Sequence, residues 1–114
     1  MSSPLNRLVG ERLDEVTFIL DYWQLVASGL RLTVFTTLEV RIGELRVRVG
    51  DDPFRNRLCE QIGKTVRAVE FFDDEALVLV FEDGSEVRCS VAPEDHRGPE
   101  AMTFDAPGDP LVVI

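Results

Sequence analysis

The sequence predicts a mainly β (α+β) domain, in which two related three-strand antiparallel meanders form a curled sheet or a partly closed barrel with one short helix packed on it. Three observations predict this fold: an internal repeat, a set of hairpins with one apolar face, and one helical stretch. At 114 residues the chain is long enough to bury a continuous core. We expect a single domain over residues 1–104, with the repeat at about 4–36 and 53–91, and a C-terminal tail at 105–114.

The repeat consists of apolar and glycine positions that recur in the second half of the chain. The first set is Leu8, Gly10, Leu13, Val16 and Phe18, and the second set is Ile62, Gly63, Val66, Val69 and Phe71. All positions except the first share one constant offset. Each set precedes an apolar segment, a turn that contains glycine, and an alternating segment, so the repeated unit is predicted to be a strand followed by a hairpin.

Three hairpins are predicted because pairing residues outward from a two-residue loop keeps one face apolar. The loops are Ser28-Gly29, Gly43-Glu44 and Asp83-Gly84. In the second hairpin, the outward pairs are Arg41 with Arg46 and Glu39 with Arg48. In the third, the inward pairs are Val80 with Val87, Val78 with Cys89 and Ala76 with Val91.

Two further turns complete the meanders. The turn at Leu20-Asp21 sets Phe18 beside Trp23, and the turn at Asp73-Asp74 sets Phe71 beside Ala76. In residues 30–42, apolar residues occupy every even position except Thr36, so we expect one long strand that is bent near Thr36-Thr37. A strand of this length either curls or passes between two sheets.

Residues 51–63 carry the helical signals. Asp52 can cap the helix, Pro53 suits its first position and Gly63 suits its end. The apolar stripe consists of Phe54, Leu58 and Ile62. Residues 3–10 resemble a shortened copy of the same element.

The chain after Val91 reads as a loop because residues 92–99 are rich in proline and charge. We expect a short edge strand at residues 101–104. Residues 111–114 are either frayed or docked, and the sequence leaves both alternatives open.

The composition bounds the partners and the compartment. A net charge of −9 disfavours nucleic acid and anionic lipid and favours a basic partner, although solubility alone explains an acidic surface as well. No apolar run approaches the roughly 20 residues of a membrane helix and no leader is visible, so we expect a cytoplasmic protein that binds no membrane. Cys59 and Cys89 are expected to be reduced, buried thiols.

The sequence contains few residues in a pattern typical of a catalytic or cofactor-binding site. His96 is the single histidine and stands in a charged loop beside Asp95, which could orient it as a base, but a surface position is the simpler interpretation. Lys64 follows Gly63 without a phosphate-binding motif around it. We therefore expect no cofactor, no metal and no catalytic residue.

A cluster of acids is predicted at one end of the second meander. In the register above, Glu75 lies opposite Ala92, which brings the turn before β-strand 76–81 close to the loop after Val91. The predicted acidic patch consists of Asp73, Asp74, Glu75, Glu94 and Asp95. Calcium would favour such oxygens, but the alternation of a calcium-binding loop is absent.

An apolar outer face is the second candidate site. The strand at 76–81 is apolar on both sides, so either the helix or a second subunit must cover the side that faces away from Val78 and Val80. Its residues are Phe72, Leu77, Leu79 and Phe81, and a similar cluster in the first half consists of Tyr22, Val26 and Phe35. We expect a homodimer through these faces.

A resemblance to short, uncharacterised bacterial single-domain families rests on two features. One is residues 77–85 (LVLVFEDGS) followed by residues 98–101 (GPEA), and the other is the repeated Gly-x-x-[Leu/Val]-x-x-Val-x-Phe pattern together with Asp21-Tyr22-x-Gln24-Leu25. Some of these families are similar to immunity proteins encoded beside secreted toxins. The resemblance implies a role in binding a protein and implies no catalytic or ligand residue.

Three functions follow as hypotheses. The first is a non-enzymatic acidic interaction module that presents the acidic patch to a basic partner, and an immunity-type inhibitor is one such module. The alternative is a small-molecule binding domain with a pocket between the meanders, lined by Tyr22, Trp23 and Phe35. An enzyme is the third, and a buried carboxylate with a strongly perturbed pKa in a cleft would favour it.

Overall fold

The computed structural model describes residues 4–114, whose strands form two five-stranded antiparallel sheets. The strands are β1 (Leu13–Ile19), β2 (Tyr22–Ala27), β3 (Leu30–Val34), β4 (Leu38–Ile42), β5 (Leu45–Arg48), β6 (Val66–Phe72), β7 (Ala76–Phe81), β8 (Glu86–Ser90), β9 (Met102–Asp105) and β10 (Val112–Val113). The first sheet has the order β1-β2-β3-β9-β10 and the second has the order β5-β4-β8-β7-β6. The predicted mainly β class is confirmed, but the sheets do not close into a barrel.

The repeat corresponds to two meanders, β1-β2-β3 and β6-β7-β8, whose first strands meet through reciprocal hydrogen bonds. Gly10 N–H donates to the Val66 carbonyl (2.8 Å), and Gly63 N–H donates to the Leu13 carbonyl (2.7 Å). Gly10 and Gly63 have φ angles of +88° and +95°, which glycine adopts without steric cost. Both first strands also shift register at matching places, Leu13/Glu15 and Val66/Ala68. The repeated glycines therefore join the two halves.

The predicted register is confirmed in the first meander and in the β4-β5 hairpin, but it was wrong by one residue in the second meander. Leu79, not Val80, pairs with Val87, and Leu77, not Ala76, pairs with Phe71. The reason is loop length: Phe72 pairs with Ala76, and Phe81 N–H donates to the Ser85 carbonyl (2.9 Å), so each of the two loops has three residues instead of two. One extra residue in each loop moves the side chains of β7 to the opposite face of the sheet, while Val87 and Cys89 of β8 stay in the core.

This shift places three residues of the predicted outer face in the core instead. Leu77, Leu79 and Phe81 are at most 2% exposed and belong to the cluster between the sheets. Val78 and Val80 lie on the outer face of the second sheet in a separate small cluster. The homodimer stays a prediction, but most of the apolar surface that motivated it is internal.

The segment at 30–42 is two strands in different sheets, as one of the two alternatives predicted. β3 ends at Val34 in the first sheet and β4 begins at Leu38 in the second. Between them Thr36 is 1% exposed, and its hydroxyl donates to the Ser90 carbonyl (2.6 Å). That hydrogen bond satisfies the hydroxyl at the point where the chain changes sheets.

The helix, α1 (Phe54–Cys59), is shorter than predicted, and its N-terminus has no side-chain cap, so the Asp52 cap was wrong. Ile62 is 42% exposed, whereas Gln61 is fully buried and continues the stripe of Phe54 and Leu58. α1 contacts β4 and β5, and Phe54 meets Trp23 edge-on at 6.3 Å. It therefore closes one end of the core and does not cover the outer face of β7.

The two ends of the described chain pack on the domain. Pro4–Leu8 form a 3-10 helix with Leu5 and Leu8 buried, as the shortened helical copy predicts, and Ser3 lies outside the described residues. β9 pairs with both β3 and β10, so the predicted edge strand is internal. Ile114 N–H donates to the Met102 carbonyl (2.9 Å), which shows that residues 111–114 are docked.

Candidate functional site

The outer face of the second sheet carries long charged side chains from three neighbouring strands. Pairing of β4 with β5 and β8 sets these side chains beside one another, on the side away from the core. The six residues, which we call the charged face, are Glu39, Arg41, Arg46, Arg48, Glu86 and Arg88. Four of the six are basic, although the chain as a whole has a net charge of −9. This face is thus a local exception to the acidic character of the molecule.

A cleft of about 530 Å³ lies at the end of the charged face where β4 begins and β5 ends. We call it the end cleft. Its charged and hydroxyl lining includes Glu39, Arg48, Glu75, Arg88, Ser90 and Asp95. Strands β4, β5, β7 and β8 and the loop after β8 all contribute to this region, so the cleft depends on contacts that are distant in sequence.

The structure brings two of the five predicted acids together in this cleft. Val91 N–H donates to the Glu75 carbonyl (3.0 Å), which joins the β6-β7 turn to the chain after β8. Glu75 therefore faces Val91 and not Ala92, one residue from the prediction, and it lines the cleft with Asp95. The remaining acids, Asp73, Asp74 and Glu94, are exposed in the adjacent turns and do not line it.

The two arginines of the cleft differ in their partners. Arg48 Nε donates to Glu39 Oε2 at 3.1 Å, a charge-assisted hydrogen bond. The guanidinium of Arg88 is 3.8 Å from Glu86 Oε1, beyond hydrogen-bond distance, and lies 5.8 Å from the centre of the Phe72 ring. Within residues 4–114 the Arg88 side chain makes no hydrogen bond, and neither does the Glu75 carboxylate. These two groups hold unused hydrogen-bonding capacity.

Asp95 is held by a serine and does not orient the histidine beside it. Ser90 Oγ donates to Asp95 Oδ2 (2.6 Å) and accepts from Ala92 N–H (3.1 Å). His96 is exposed, as the surface interpretation predicts. The pair that general-base chemistry would need is therefore absent from this loop.

The prediction that Tyr22, Trp23 and Phe35 line one pocket between the meanders was wrong. Trp23 is 7% exposed and faces the core, whereas Tyr22 and Phe35 lie on the outer face of the first sheet with ring centres 5.4 Å apart. A hollow of about 210 Å³ lies beside these two rings. Arg97, whose Nη1 donates to the Asp21 carbonyl (2.8 Å), forms part of its wall.

A polar network lies in the β7-β8 loop, away from the end cleft. Ser85 Oγ lies 2.8 Å from Gln61 Oε1 and 2.5 Å from Asp83 Oδ1, so two acceptors share its single hydroxyl hydrogen, and Lys64 Nζ is 2.8 Å from Asp83 Oδ2. The hydrogen bond from Lys64, followed by those from Ser85, lowers the pKa of Asp83 to about 2. This carboxyl is half exposed, and its lowered pKa keeps it ionised at neutral pH, so it has no proton to donate as a general acid. Its hydrogen bonds stabilise the turn instead.

The cysteines differ from each other. Cys89 is fully buried, and burial raises the pKa of its thiol to about 12. Cys59 is exposed at the end of α1, so the prediction that both thiols are buried was wrong for this residue. The helix turns Cys59 outward because Phe54 and Leu58 occupy its inner face.

Sequence reasoning found Glu75 and Asp95 but missed Arg88 and Ser90. The outward pair of Glu39 with Arg48 was predicted from the β4-β5 hairpin, and it forms one wall of the cleft. The wall formed by Arg88 depends on the pairing of β4 with β8, which joins residues far apart in the chain. No local pattern reports that pairing.

No protein-family model, curated protein or solved structure matches this chain. Among residues 4–114, no three histidine, cysteine or carboxylate side chains are grouped so that they could hold a metal ion. Over the same residues, no helix has the length and apolar character needed to span a bilayer. The fold and site together define a two-sheet β domain with a charged cleft at one end of its second sheet.

Proposed function

We propose that this chain is a non-enzymatic interaction module that binds a basic segment of a partner protein in the end cleft. One observation carries the proposal: Glu75 and Asp95, which lie far apart in sequence, line one cleft. Glu75 has no ion pair within residues 4–114, so its charge is available to a ligand. A lysine or arginine side chain entering this cleft would meet carboxylates from two directions.

The negative charge of the whole chain supports the same proposal. At a net charge of −9, long-range attraction speeds the encounter with a basic partner and weakens as salt increases. Complementary charge contributes more to association rate and partner choice than to affinity. Inhibition of the partner, as in an immunity protein, stays a prediction, and so does the homodimer.

The test uses an octapeptide of four Lys-Gln repeats as a basic probe, with calorimetry at low salt. The double variant Glu75→Gln, Asp95→Asn is expected to bind the peptide about tenfold more weakly, because each exposed charge pair contributes up to about 1 kcal/mol. The control variant Glu44→Gln, Glu82→Gln removes the same charge from the opposite end of the same sheet. Equal binding by both variants would show that net charge alone attracts the peptide, and would refute the proposed site.

A further inference from the structure

We propose that Arg88 is a carboxylate anchor inside the end cleft, so that the bound segment carries an acidic group beside its basic one. This inference rests on the proposed function and specifies the chemistry of its partner. The ligand class is a peptide with opposite charges on neighbouring side chains, not a purely basic peptide. The basic group lies against Glu75 and Asp95, and the carboxylate lies against Arg88.

The first argument is the hydrogen bonding of Arg88. A guanidinium offers five N–H donors in a planar fork that matches a carboxylate, and a buried or half-buried arginine usually places them on acceptors. The Arg88 side chain is 29% exposed and has no hydrogen-bond acceptor within residues 4–114. Its nearest carboxylate oxygen, Glu86 Oε1, is also within 3.9 Å of Arg41, so one oxygen is shared between two arginines.

The second argument is that Arg88 is held in place without using its donors. Its guanidinium carbon lies 5.8 Å from the Phe72 ring centre, within the range of a cation-π contact. Its β-strand neighbours are Glu39 on one side and Val78 on the other. An arginine that is positioned by an aromatic ring and leaves its fork free loses less side-chain entropy when a carboxylate binds.

The third argument is the contrast with Arg48 across the same cleft. Arg48 donates through Nε to Glu39 at 3.1 Å, and the rest of its guanidinium faces solvent because its side chain is 70% exposed, whereas Glu39 is only 16% exposed. Glu39 therefore neutralises Arg48 and is not itself available to a ligand. Of the two cleft arginines, Arg88 is the one whose side chain makes no hydrogen bond within residues 4–114, and it shares the cleft with the acids Glu75 and Asp95. This arrangement is the complement of a segment that carries both signs.

The experiment compares three octapeptides by calorimetry at about 0.15 M salt, where long-range attraction to the net charge of −9 is screened: four Lys-Glu repeats, four Lys-Gln repeats and four Gln-Glu repeats. The intact protein is expected to bind the Lys-Glu peptide more tightly than the Lys-Gln peptide. The Arg88→Gln variant is expected to lose about tenfold in affinity for the Lys-Glu peptide, as for a charge-assisted hydrogen bond. Its affinity for the Lys-Gln peptide is expected to be unchanged or higher, because the variant is more negative.

Arg88→Lys keeps the charge and removes the fork, so an intermediate affinity for the Lys-Glu peptide is expected, and this variant replaces Arg88→Gln if the latter does not fold. Arg46→Gln is the matched control, since Arg46 lies on the charged face outside the cleft. Equal loss in Arg88→Gln and Arg46→Gln, or binding of the Gln-Glu peptide as strong as that of the Lys-Glu peptide, would overturn the anchor. Failure of every lysine peptide to bind would instead refute the proposed function.

Discussion

The two meanders have the same backbone plan but different outer faces. Across the middle of the first meander, Thr17 pairs with Gln24 and Gln24 with Thr33, an uncharged row, and the charged outer residues Glu15 and Arg31 lie on either side of Val26 in another row. The matching row of the second meander pairs Glu70 with Val78 and Val78 with Arg88. The inner rows remain apolar in both. The repeat thus records what the core requires, and the outer residues are free to differ, so the second meander contributes Arg88 and Ser90 to the end cleft and the first contributes nothing to it.

The largest expected effect tests whether the inner rows are equivalent. Leu25 and Leu79 occupy matching inner positions and are each 2% exposed. Replacement of either by alanine is expected to lower the free energy of unfolding by about 2–5 kcal/mol, measured by urea denaturation. Leu20→Ala, at a fully exposed turn, is the control and should change it by less than about 0.5 kcal/mol. A loss of less than about 0.5 kcal/mol for Leu79→Ala would indicate that Leu79 lies on the surface, as a two-residue loop predicts, and would contradict the observed register.

The second prediction concerns the polar network that surrounds Ser85 in the β7-β8 loop. Ser85→Ala removes the hydroxyl that contacts both the buried Gln61 Oε1 and Asp83 Oδ1, so a loss of about 1–3 kcal/mol in unfolding free energy is expected. Ser28→Ala in the corresponding loop of the first meander removes a side chain that makes no hydrogen bond to any residue from 4 to 114, and denaturation should show little change. Similar losses in both variants would mean that the network adds nothing specific.

The third prediction tests the symmetry of the junction between the meanders. Gly10→Ala and Gly63→Ala each place a Cβ atom in the left-handed region, so each is expected to cost about 1–2 kcal/mol. The two losses should agree, because the reciprocal hydrogen bonds are alike. Gly98→Ala, at a glycine without positive φ, is the control for thermal denaturation. A large loss in only one of the two variants would contradict the equivalence of the junction.

The smallest expected effect is on acid stability. The pKa of Asp83 is lowered to about 2 in the folded chain, so its stabilising contribution is present above the ordinary aspartate pKa and disappears as pH falls through the folded value. Asp83→Asn should therefore lose less stability than the unchanged protein between about pH 4 and pH 2. Denaturation across this range checks it, with Glu82→Gln as a charge-matched reference. Parallel pH profiles for the two variants would contradict the lowered pKa of Asp83.

Local patterns were sufficient for much of the fold. The glycines at 10 and 63, the Ser28-Gly29 turn and the alternation of β2 and β3 predict the first meander in its observed register. The second meander defeated the same reasoning because Asp83-Gly84 fits both a two-residue and a three-residue loop. The sequence of β7 does not distinguish the two registers, since all of its residues are apolar and either face could be the inner one.

The candidate site was less accessible to sequence reasoning than the fold. Glu75 and Asp95 were found because the β7-β8 hairpin sets the ends of neighbouring strands side by side, and a one-residue slip leaves them at the same end of the sheet. Arg88 was missed because its role depends on the pairing of β4 with β8 and on its contact with Phe72. Contacts of that kind are determined by tertiary packing and leave no periodic signal.

The most direct test of the central claim is a map of amide chemical shifts as the Lys-Glu octapeptide is added to the protein. Binding in the end cleft predicts that the shifts concentrate at Glu75, Arg88, Ser90 and Asp95. The matching row of the first meander, represented by Gln24 and Thr33, should remain unchanged. Shifts centred on that first row, or spread evenly over the acidic surface, would contradict the claim that the peptide binds in the end cleft.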